Sequence, residues 1–287
     1  MSRMPVNPLQ EVICCLGQPV AGNPSQYLME KAFVASGLDW RFLTLEVAPA
    51  ALEDAVKGIK ALGFRGANIS MPHKAAVIPL LDSLTPMAKQ MGAVNFVKCT
   101  AEQKLEGDNT EGAAAILAIR EQGSDPVGKK VVLFGAGSFG RAMAVELAKA
   151  GAREFVVLSR TLAHGESLVN TLSQDLQVPA TLVHWKGNYE LPEDADFVIN
   201  ATSLGHGDPN AKFPLVVESL KPSMLVLDAI YDPPTTWLVR AARERECPVV
   251  DGFEILIRQV AIDFGKWTGQ QTDVAMLRDA AEEFLGV

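Results

Sequence analysis

Two side chains in this sequence have the type and setting needed to move a proton. They are Lys74 and Asp108, each beside a turn at the end of a predicted strand. A lysine relays a proton only when its pKa falls towards working pH, as desolvation can achieve; a nearby carboxylate instead favours the ammonium and orients it. Taken singly, Lys74 also reads as a surface lysine at a helix start, and Asp108 as a turn residue or helix N-cap. Their spacing alone does not bring them together.

A second chemistry is written in Val131-Val132-Leu133-Phe134-Gly135-Ala136-Gly137-Ser138-Phe139-Gly140. Four apolar residues read as a buried strand, the Gly-x-Gly-x-x-Gly turn follows, and Ala142, Val145, Leu147, Ala148 and Ala150 continue as a helix. Strand, glycines and helix in that order form a dinucleotide fingerprint. Gly135 permits the tight turn, Gly137 lets a pyrophosphate approach the backbone, and Gly140 lets the helix pack on its strand. The helix start then points free N–H groups at the phosphates. An acidic residue about twenty positions further on would select NAD. Here the next strand ends in Ser159-Arg160-Thr161 instead, so a guanidinium and two hydroxyls await a 2′-phosphate. NADP is the expected cofactor, with NAD as the alternative.

The elements that must position these residues read as an α/β chain. Val12 to Leu16, Trp40 to Val47 and Gly66 to Ile69 are predicted strands. Tyr27 to Val34, Ala50 to Leu62 and a segment through Leu80 and Leu81 are predicted helices. A helix from Thr110 to Arg120, capped by Asn109 or Thr110, crosses to the second half, and Gly123-Ser124-Asp125-Pro126 is a linker. Strands follow at Val131 to Phe134, Glu154 to Leu158, Ala180 to His184, Phe197 to Asn200, Met224 to Asp228 and Val249-Val250. Helices beyond Phe253, and from Met276 to Phe284, have no strand left to serve in the second sheet, so they are expected to return to the first. Residues 1–112, completed by 253–287, therefore form a mostly parallel α/β substrate domain. Residues 113–252 form a doubly wound, Rossmann-type cofactor domain. An interdomain cleft with a hinge near Gly112 and Gly252 is expected.

Composition excludes several other roles. Of 287 residues, 48% are hydrophobic and 21% charged, which is ordinary for a globular enzyme. The net charge of −8, with no basic run to offset it, argues against nucleic-acid binding. No apolar run reaches transmembrane length, and Met1-Ser2-Arg3-Met4-Pro5 lacks a signal-peptide core. Cys14, Cys15, Cys99 and Cys247 show no paired spacing and read as reduced thiols of a cytoplasmic protein. His73, His164, His184 and His206 are scattered, so no metal is assigned.

Several separate stretches coincide with one family. Asn68-Ile69-Ser70-Met71-Pro72-His73-Lys74, Gly92-Ala93-Val94-Asn95, Gly107-Asp108-Asn109-Thr110 and Asn200-Ala201-Thr202-Ser203 resemble signature stretches of shikimate dehydrogenases. So do Tyr231-Asp232-Pro233 with Thr236, and Asp251-Gly252 followed by Gln259. The resemblance covers nearly the whole chain, in matching order and spacing. It implies reversible reduction of 3-dehydroshikimate to shikimate with NADPH, in the pathway to the aromatic amino acids. It also implies Lys74 as catalytic lysine with Asp108 as its partner. Asn23, Ser25, Ser70, Asn95, Tyr231 and Gln259, together with Asp108, are implied substrate contacts. Gly135 to Gly140, Ser159 to Thr161, His164, Thr202, Ser203, Ala229 and Gly252 are implied cofactor contacts. His164 stands where a second phosphate-binding arginine is often found.

One end departs from the family pattern. A Ser-x-Ser-Pro stretch usually holds the substrate carboxylate, and here the position reads Asn23-Pro24-Ser25-Gln26, with Met29-Glu30 in place of the usual His-Asn. An amide can still donate to a carboxylate, but its bulk reshapes that end. The alternatives are a paralogue acting on quinate, an amino-substituted shikimate or another cyclic hydroxy acid. Two remoter readings share the architecture, a folate-interconverting or other polar-substrate dehydrogenase and a non-catalytic NADP- and metabolite-binding regulator. Asn95, Asp108 and Gln259 argue against the first, and retention of both Lys74 and Asp108 against the second. The only partner expected is a small-molecule substrate. The sequence leaves monomer and homodimer open.

Overall fold

The computed structural model describes residues 10–286, and these divide into two units. One holds the chain up to Asn109 and again from Val260; the other is Thr110–Gln259. The expected boundaries at 112 and 253 lie a few residues away. Both glycines near them are inside the second unit, fixed by close packing. A Cβ on Gly112 would come 2.3 Å from Glu146 Cγ, and one on Gly252 would come 2.5 Å from the Ala229 carbonyl oxygen.

The first unit opens with β1 (Glu11–Gly17), α1 (Ser25–Ala35), β2 (Trp40–Glu46), α2 (Leu52–Ala61), β3 (Gly66–Ile69) and α3 (His73–Ala76). It continues with β4 (Ser83–Leu84), α4 (Pro86–Met91), β5 (Phe96–Cys99) and β6 (Leu105–Asp108). Its sheet has the order β2-β1-β3-β5-β6-β4. β1 pairs parallel with β2 and β3, and β4 parallel with β6, but β5 runs antiparallel to both its neighbours. The sheet is therefore mixed. An antiparallel strand places its first residue where parallel neighbours place their last, so the start of β5 meets the ends of β3 and β6.

The helix expected through Leu80 and Leu81 is not formed. α3 stops at Ala76, a 3-10 turn covers Ile78–Leu80, and β4 follows. Pro79 has no N–H to continue a helix. α4, which the sequence reading missed, is fully punctuated: Thr85 accepts the Ala88 N–H, Pro86 opens the first turn, and Gly92 closes it at φ 63°. One face of the sheet packs on α2 through Leu52, Val56 and Ile59, which meet Cys14, Leu16, Ala67 and Ile69.

The second unit contains α5 (Glu111–Glu121), β7 (Lys130–Phe134), α6 (Ser138–Lys149), β8 (Glu154–Ser159), α7 (Leu162–Asn170) and β9 (Ala180–His184). β10 (Phe197–Asn200), β11 (Leu225–Asp228), α8 (Trp237–Glu244) and β12 (Val249–Val250) follow. All its pairings are parallel, in the order β12-β11-β10-β7-β8-β9. β7, β10 and β11 are apolar almost throughout and buried on both faces, as a parallel sheet between helices requires. Phe134 is fully buried against Trp185 and Phe213, edge-on to both. Each such side chain contributes roughly 1.5–3 kcal/mol of burial.

The long α9 (Gly252–Thr268) begins in this unit and ends in the first, and α10 (Val274–Leu285) lies wholly in the first. There Phe264 meets Phe33, Trp267 stacks on Phe96 with ring centroids 4.6 Å apart, and Phe284 meets Tyr27. These contacts seat α9 against α1 and β5, and α10 against α1. Among the described residues, no helix is long and apolar enough to cross a membrane, and no cluster of ligating side chains could hold a metal ion.

Candidate active site

The second unit reverses strand order at β7, whose neighbours are β8 and β10. Ligands of doubly wound sheets bind beyond the strand ends at such a switch point. Gly135 lies there at φ +102°, and its N–H donates to the Leu158 carbonyl. A Cβ on Gly135 would meet Ala201 O and Thr202 Cγ2 at 2.9 Å, and one on Gly140 would lie 2.1 Å from Gly135 O. The turn thus closes on two glycines that admit no side chain. Gly137 differs. It is exposed, it stands at the N-cap of α6, and a Cβ there would meet nothing within 4 Å. Open space over the free N–H groups of a helix start fits a pyrophosphate. Ala136 is buried beneath the turn, while Ser138 and Phe139 are half-buried in the first turn of α6.

At the end of β8 the expected trio divides. Arg160, Thr161 and His164 are exposed, whereas Ser159 is buried and its hydroxyl donates to Thr161 O at 2.8 Å. Ser159 therefore shapes the loop, and the exposed guanidinium is the group free to meet a phosphate. Beyond β10, the carboxamide oxygen of Asn200 accepts both the N–H and the hydroxyl of Thr202, fixing the Thr202-Ser203 bend. The Asn200 N–H₂ donates to Asp228, which also accepts from Ile230 N–H and from the Thr236 hydroxyl that caps α8. Asp228 is wholly buried, and burial pushes its pKa up to about 6 against these three donors. This network sets the backbone at Ala229, whose N–H donates to Asn200 O. Tyr231 follows, half-buried, with its ring 6.4 Å from that of His206. Gly252 and Gln259 lie on α9, in the second unit's part of that helix.

In the first unit the predicted residues come together at one end of the sheet. Ile69 N–H donates to Asn95 O, Asn95 N–H to Asp108 O, and Val94 N–H to Lys74 O. Ser70 is drawn in by its N–H to Leu16 O and by accepting the His73 N–H. The segment before β5 thus bonds the backbone of both Lys74 and Asp108. Asn95 is buried at 2% exposure and Asp108 at 9%, whereas Ser70 and Lys74 are half-buried. Asp108 Oδ1 accepts from the Thr85 hydroxyl at 2.5 Å and from Asn109 N–H at 2.8 Å. Its Oδ2 accepts from Lys266 Nζ, also at 2.8 Å.

Lys266 was not singled out from the sequence. Its signal was legible, because Gln259, Asp263 and Lys266 recur at spacings of four and three along a helix otherwise read for its apolar residues.

The departures at the N-terminus also separate. Asn23 Oδ1 accepts the Ser25 N–H at 2.9 Å, a local turn that leaves the amide N–H₂ as the donor for a ligand. Ser25 is buried at the first position of α1. Met29 is fully buried, and Glu30 and Gln26 accept the N–H groups of Phe42 and Thr44 on the edge strand β2. Met29, Gln26 and Glu30 therefore serve packing and edge protection.

The second unit is a Rossmann-type dinucleotide-binding domain, and the first presents a lysine, an asparagine and an aspartate at the end of a mixed sheet. Comparison with known proteins gives that pairing a family. The shikimate dehydrogenase substrate-binding domain matches residues 15–97, and the shikimate/quinate 5-dehydrogenase domain matches residues 117–207. The NADP(+) shikimate dehydrogenase of Moorella thermoacetica is 37% identical over 96% of this chain and 94% of its own. The ligand-free 5-ketofructose reductase of Gluconobacter sp. strain CHM43 superposes with a TM-score of 0.91 at 36% identity, covering 96% of this chain and 99% of that one. A shikimate dehydrogenase in complex with NADP+ superposes with a TM-score of 0.89 at 30% identity, covering 96% and 95%. The chain belongs to the shikimate dehydrogenase family.

Proposed function

We propose that this protein is an NADP-dependent oxidoreductase that reversibly reduces 3-dehydroshikimate to shikimate. The observation that carries this reading is the convergence of Ser70, Lys74, Asn95 and Asp108 at one tied end of the first sheet, in a chain of this family. Residues 1–112 with 253–287 act as the substrate part, and 113–252 as the cofactor part.

NADPH, when bound, supplies the hydride. Gly135 to Gly140 hold its pyrophosphate, Arg160 and Thr161 its 2′-phosphate with His164 beside them, and Thr202, Ser203, Ala229 and Gly252 line the remainder. Lys74 donates the proton that the carbonyl oxygen needs as it becomes a hydroxyl, and Asp108 orients the ammonium and the ring hydroxyls. Asn95 and Ser70 hydrogen-bond the ring, and Tyr231 and Gln259 add contacts. The Asn23 amide and the Ser25 hydroxyl take the carboxylate. The enzyme works in the cytoplasm.

A second reading is favoured by Asn23. An amide in place of a serine, tied to Ser25, suits a neutral hydroxylated carbonyl as well as a carboxylate. The similar 5-ketofructose reductase makes a ketose the substrate to set against the cyclic acid. NADPH oxidation is followed with 3-dehydroshikimate and with 5-ketofructose, and NADP+ reduction with shikimate and quinate, for the wild type and Lys74→Ala. The first reading predicts Lys74-dependent turnover of 3-dehydroshikimate and shikimate. Turnover of 5-ketofructose alone replaces it with the second.

A further inference from the structure

The substrate end of the first sheet is backed by a buried acid to which the proposed reaction gives no task. Asp263, on α9, is 1% exposed and accepts the Asn68 N–H₂ at 2.9 Å. Asn68 is itself buried, at the third position of β3, and the same amide nitrogen donates to Asn95 O at 3.3 Å. Asn95 O also accepts the Ile69 N–H at 2.8 Å. A carboxylate and a main-chain carbonyl accept and do not donate. The Asn68 amide therefore has one orientation, with its nitrogen turned to both.

Burying a carboxylate is costly, so an acid at this position calls for a reason. Seating α9 is not that reason. Phe264, next in the chain, packs on Phe33, and Trp267 stacks on Phe96 and donates Nε1–H to Val97 O at 3.1 Å. Aromatic contacts thus hold the helix on both sides of the acid's own turn. Cys15 of β1 is the register partner of Asn68 and shares its face of the sheet. Burial pushes the Cys15 thiol up to about 12, while the Lys74 ammonium pulls it down and the Asp263 carboxylate pushes it up. Asp263 and Lys74 therefore act on one thiol, and the acid lies at the end of the face where Lys74 and Asn95 are found.

We infer that Asp263 is a positioning residue for substrate binding: it fixes the Asn68 amide and, through it, the main chain of Asn95. This rests on the proposed role of Asn95 as a contact to the substrate ring. Asp263→Ala removes the acceptor, Asp263→Asn keeps an oxygen for the Asn68 N–H₂, and Asn68→Ala removes the link. Turnover of 3-dehydroshikimate and 5-ketofructose with NADPH is measured for each, for the Asp263→Ala/Asn68→Ala double variant and for Asn95→Ala. NADPH affinity is measured by calorimetric titration, and the Asp263→Ala and Asn68→Ala crystal structures are solved.

The expected result is a rise of about tenfold in KM for the ketone in Asp263→Ala and in Asn68→Ala, the worth of one hydrogen bond. The double variant should lose no more than either single one, because both cut the same link. kcat and NADPH affinity should change far less, as when an interaction shared by ground and transition state is lost. Asp263→Asn should recover most of the binding. Wild-type KM in both alanine variants, additive losses in the double variant, an equal fall in NADPH affinity, or an Asp263→Asn as impaired as Asp263→Ala overturns the inference. Should Asp263→Ala fail to fold, Asn68→Ala carries the test. Wild-type KM in Asn95→Ala instead identifies the assignment of Asn95 as the failure. With neither ketone turned over, the crystal structures decide: a shifted Asn95 carbonyl supports the inference, and an unmoved one overturns it.

Discussion

The two units build their sites from different materials. In the second unit the proposed cofactor site is mostly backbone: a glycine turn, a helix start and strand ends, with Arg160 and its neighbours adding side-chain chemistry at the end of β8. In the first unit the proposed site is side chains, those of Lys74, Asn95 and Asp108, whose backbones are tied to one segment ahead of a strand that runs against its neighbours. A backbone site is intolerant of added atoms and indifferent to most chemistry. A side-chain site is the reverse. Substitutions in the two units should therefore fail in different ways.

The largest effect is expected in the side-chain site. Lys74→Ala should lower kcat on the order of a hundredfold to ten-thousandfold, the range for a lost proton-transfer group, with the melting temperature unchanged. Steady-state kinetics beside a thermal melt checks both halves, and a lowered melting temperature would mean that Lys74 serves the fold.

Next come two glycines only three residues apart. Gly140→Ala drives a Cβ to 2.1 Å from a backbone oxygen and should cost about 3 kcal/mol, the upper part of the usual overpacking range. Gly137→Ala meets nothing within 4 Å and has an ordinary φ of −75°, so it should melt like the wild type while binding NADPH at least tenfold more weakly, about 1.4 kcal/mol. Chemical denaturation and calorimetric titration separate the pair. Equal melting points for the two variants would break the distinction drawn here.

A buried carboxylate sharpens it further. Asp228 titrates at about 6 in the folded protein against an ordinary value of 3.8. A raised carboxylate gives its stabilising contribution fully below the ordinary value and loses it as pH rises through the folded one. Relative to Asp228→Asn, the wild type should lose roughly 3 kcal/mol between about pH 4 and pH 7. Denaturation curves of both proteins across that window test the sign. A flat difference would show that the hydrogen bonds from Asn200, Ile230 and Thr236 cancel the burial.

A narrower effect concerns cofactor choice. Arg160→Ala should weaken NADPH by roughly 1.5–3 kcal/mol, the worth of a hydrogen bond to a charged group, and leave NADH affinity nearly untouched. Parallel titrations with the two nucleotides read the ratio.

What could be read in advance follows the same division. The glycine turn, β7 and α6 were legible because three local patterns agree within a dozen residues: apolar run, glycine spacing and helical periodicity. The tie of Lys74 and Asp108 to one shared segment was not, since it depends on β5 running antiparallel, and Phe96-Val97-Lys98-Cys99 carries no mark of its direction. β6 was hidden because Leu105-Glu106-Gly107-Asp108 is short and half polar. Pro79 was the missed warning against a helix through Leu80. Asn23, Gln26, Met29 and Glu30 read as one cluster of departures until strand pairing showed that β2 is an edge whose N–H groups Gln26 and Glu30 cover.

The most direct test of the account is to measure NADPH affinity and turnover together in Gly137→Ala and Lys74→Ala. The account predicts a crossed result: Gly137→Ala loses NADPH affinity while its fold holds, and Lys74→Ala binds NADPH as the wild type does and fails to turn over. NADPH bound at wild-type strength by Gly137→Ala, or wild-type turnover by Lys74→Ala, would contradict it.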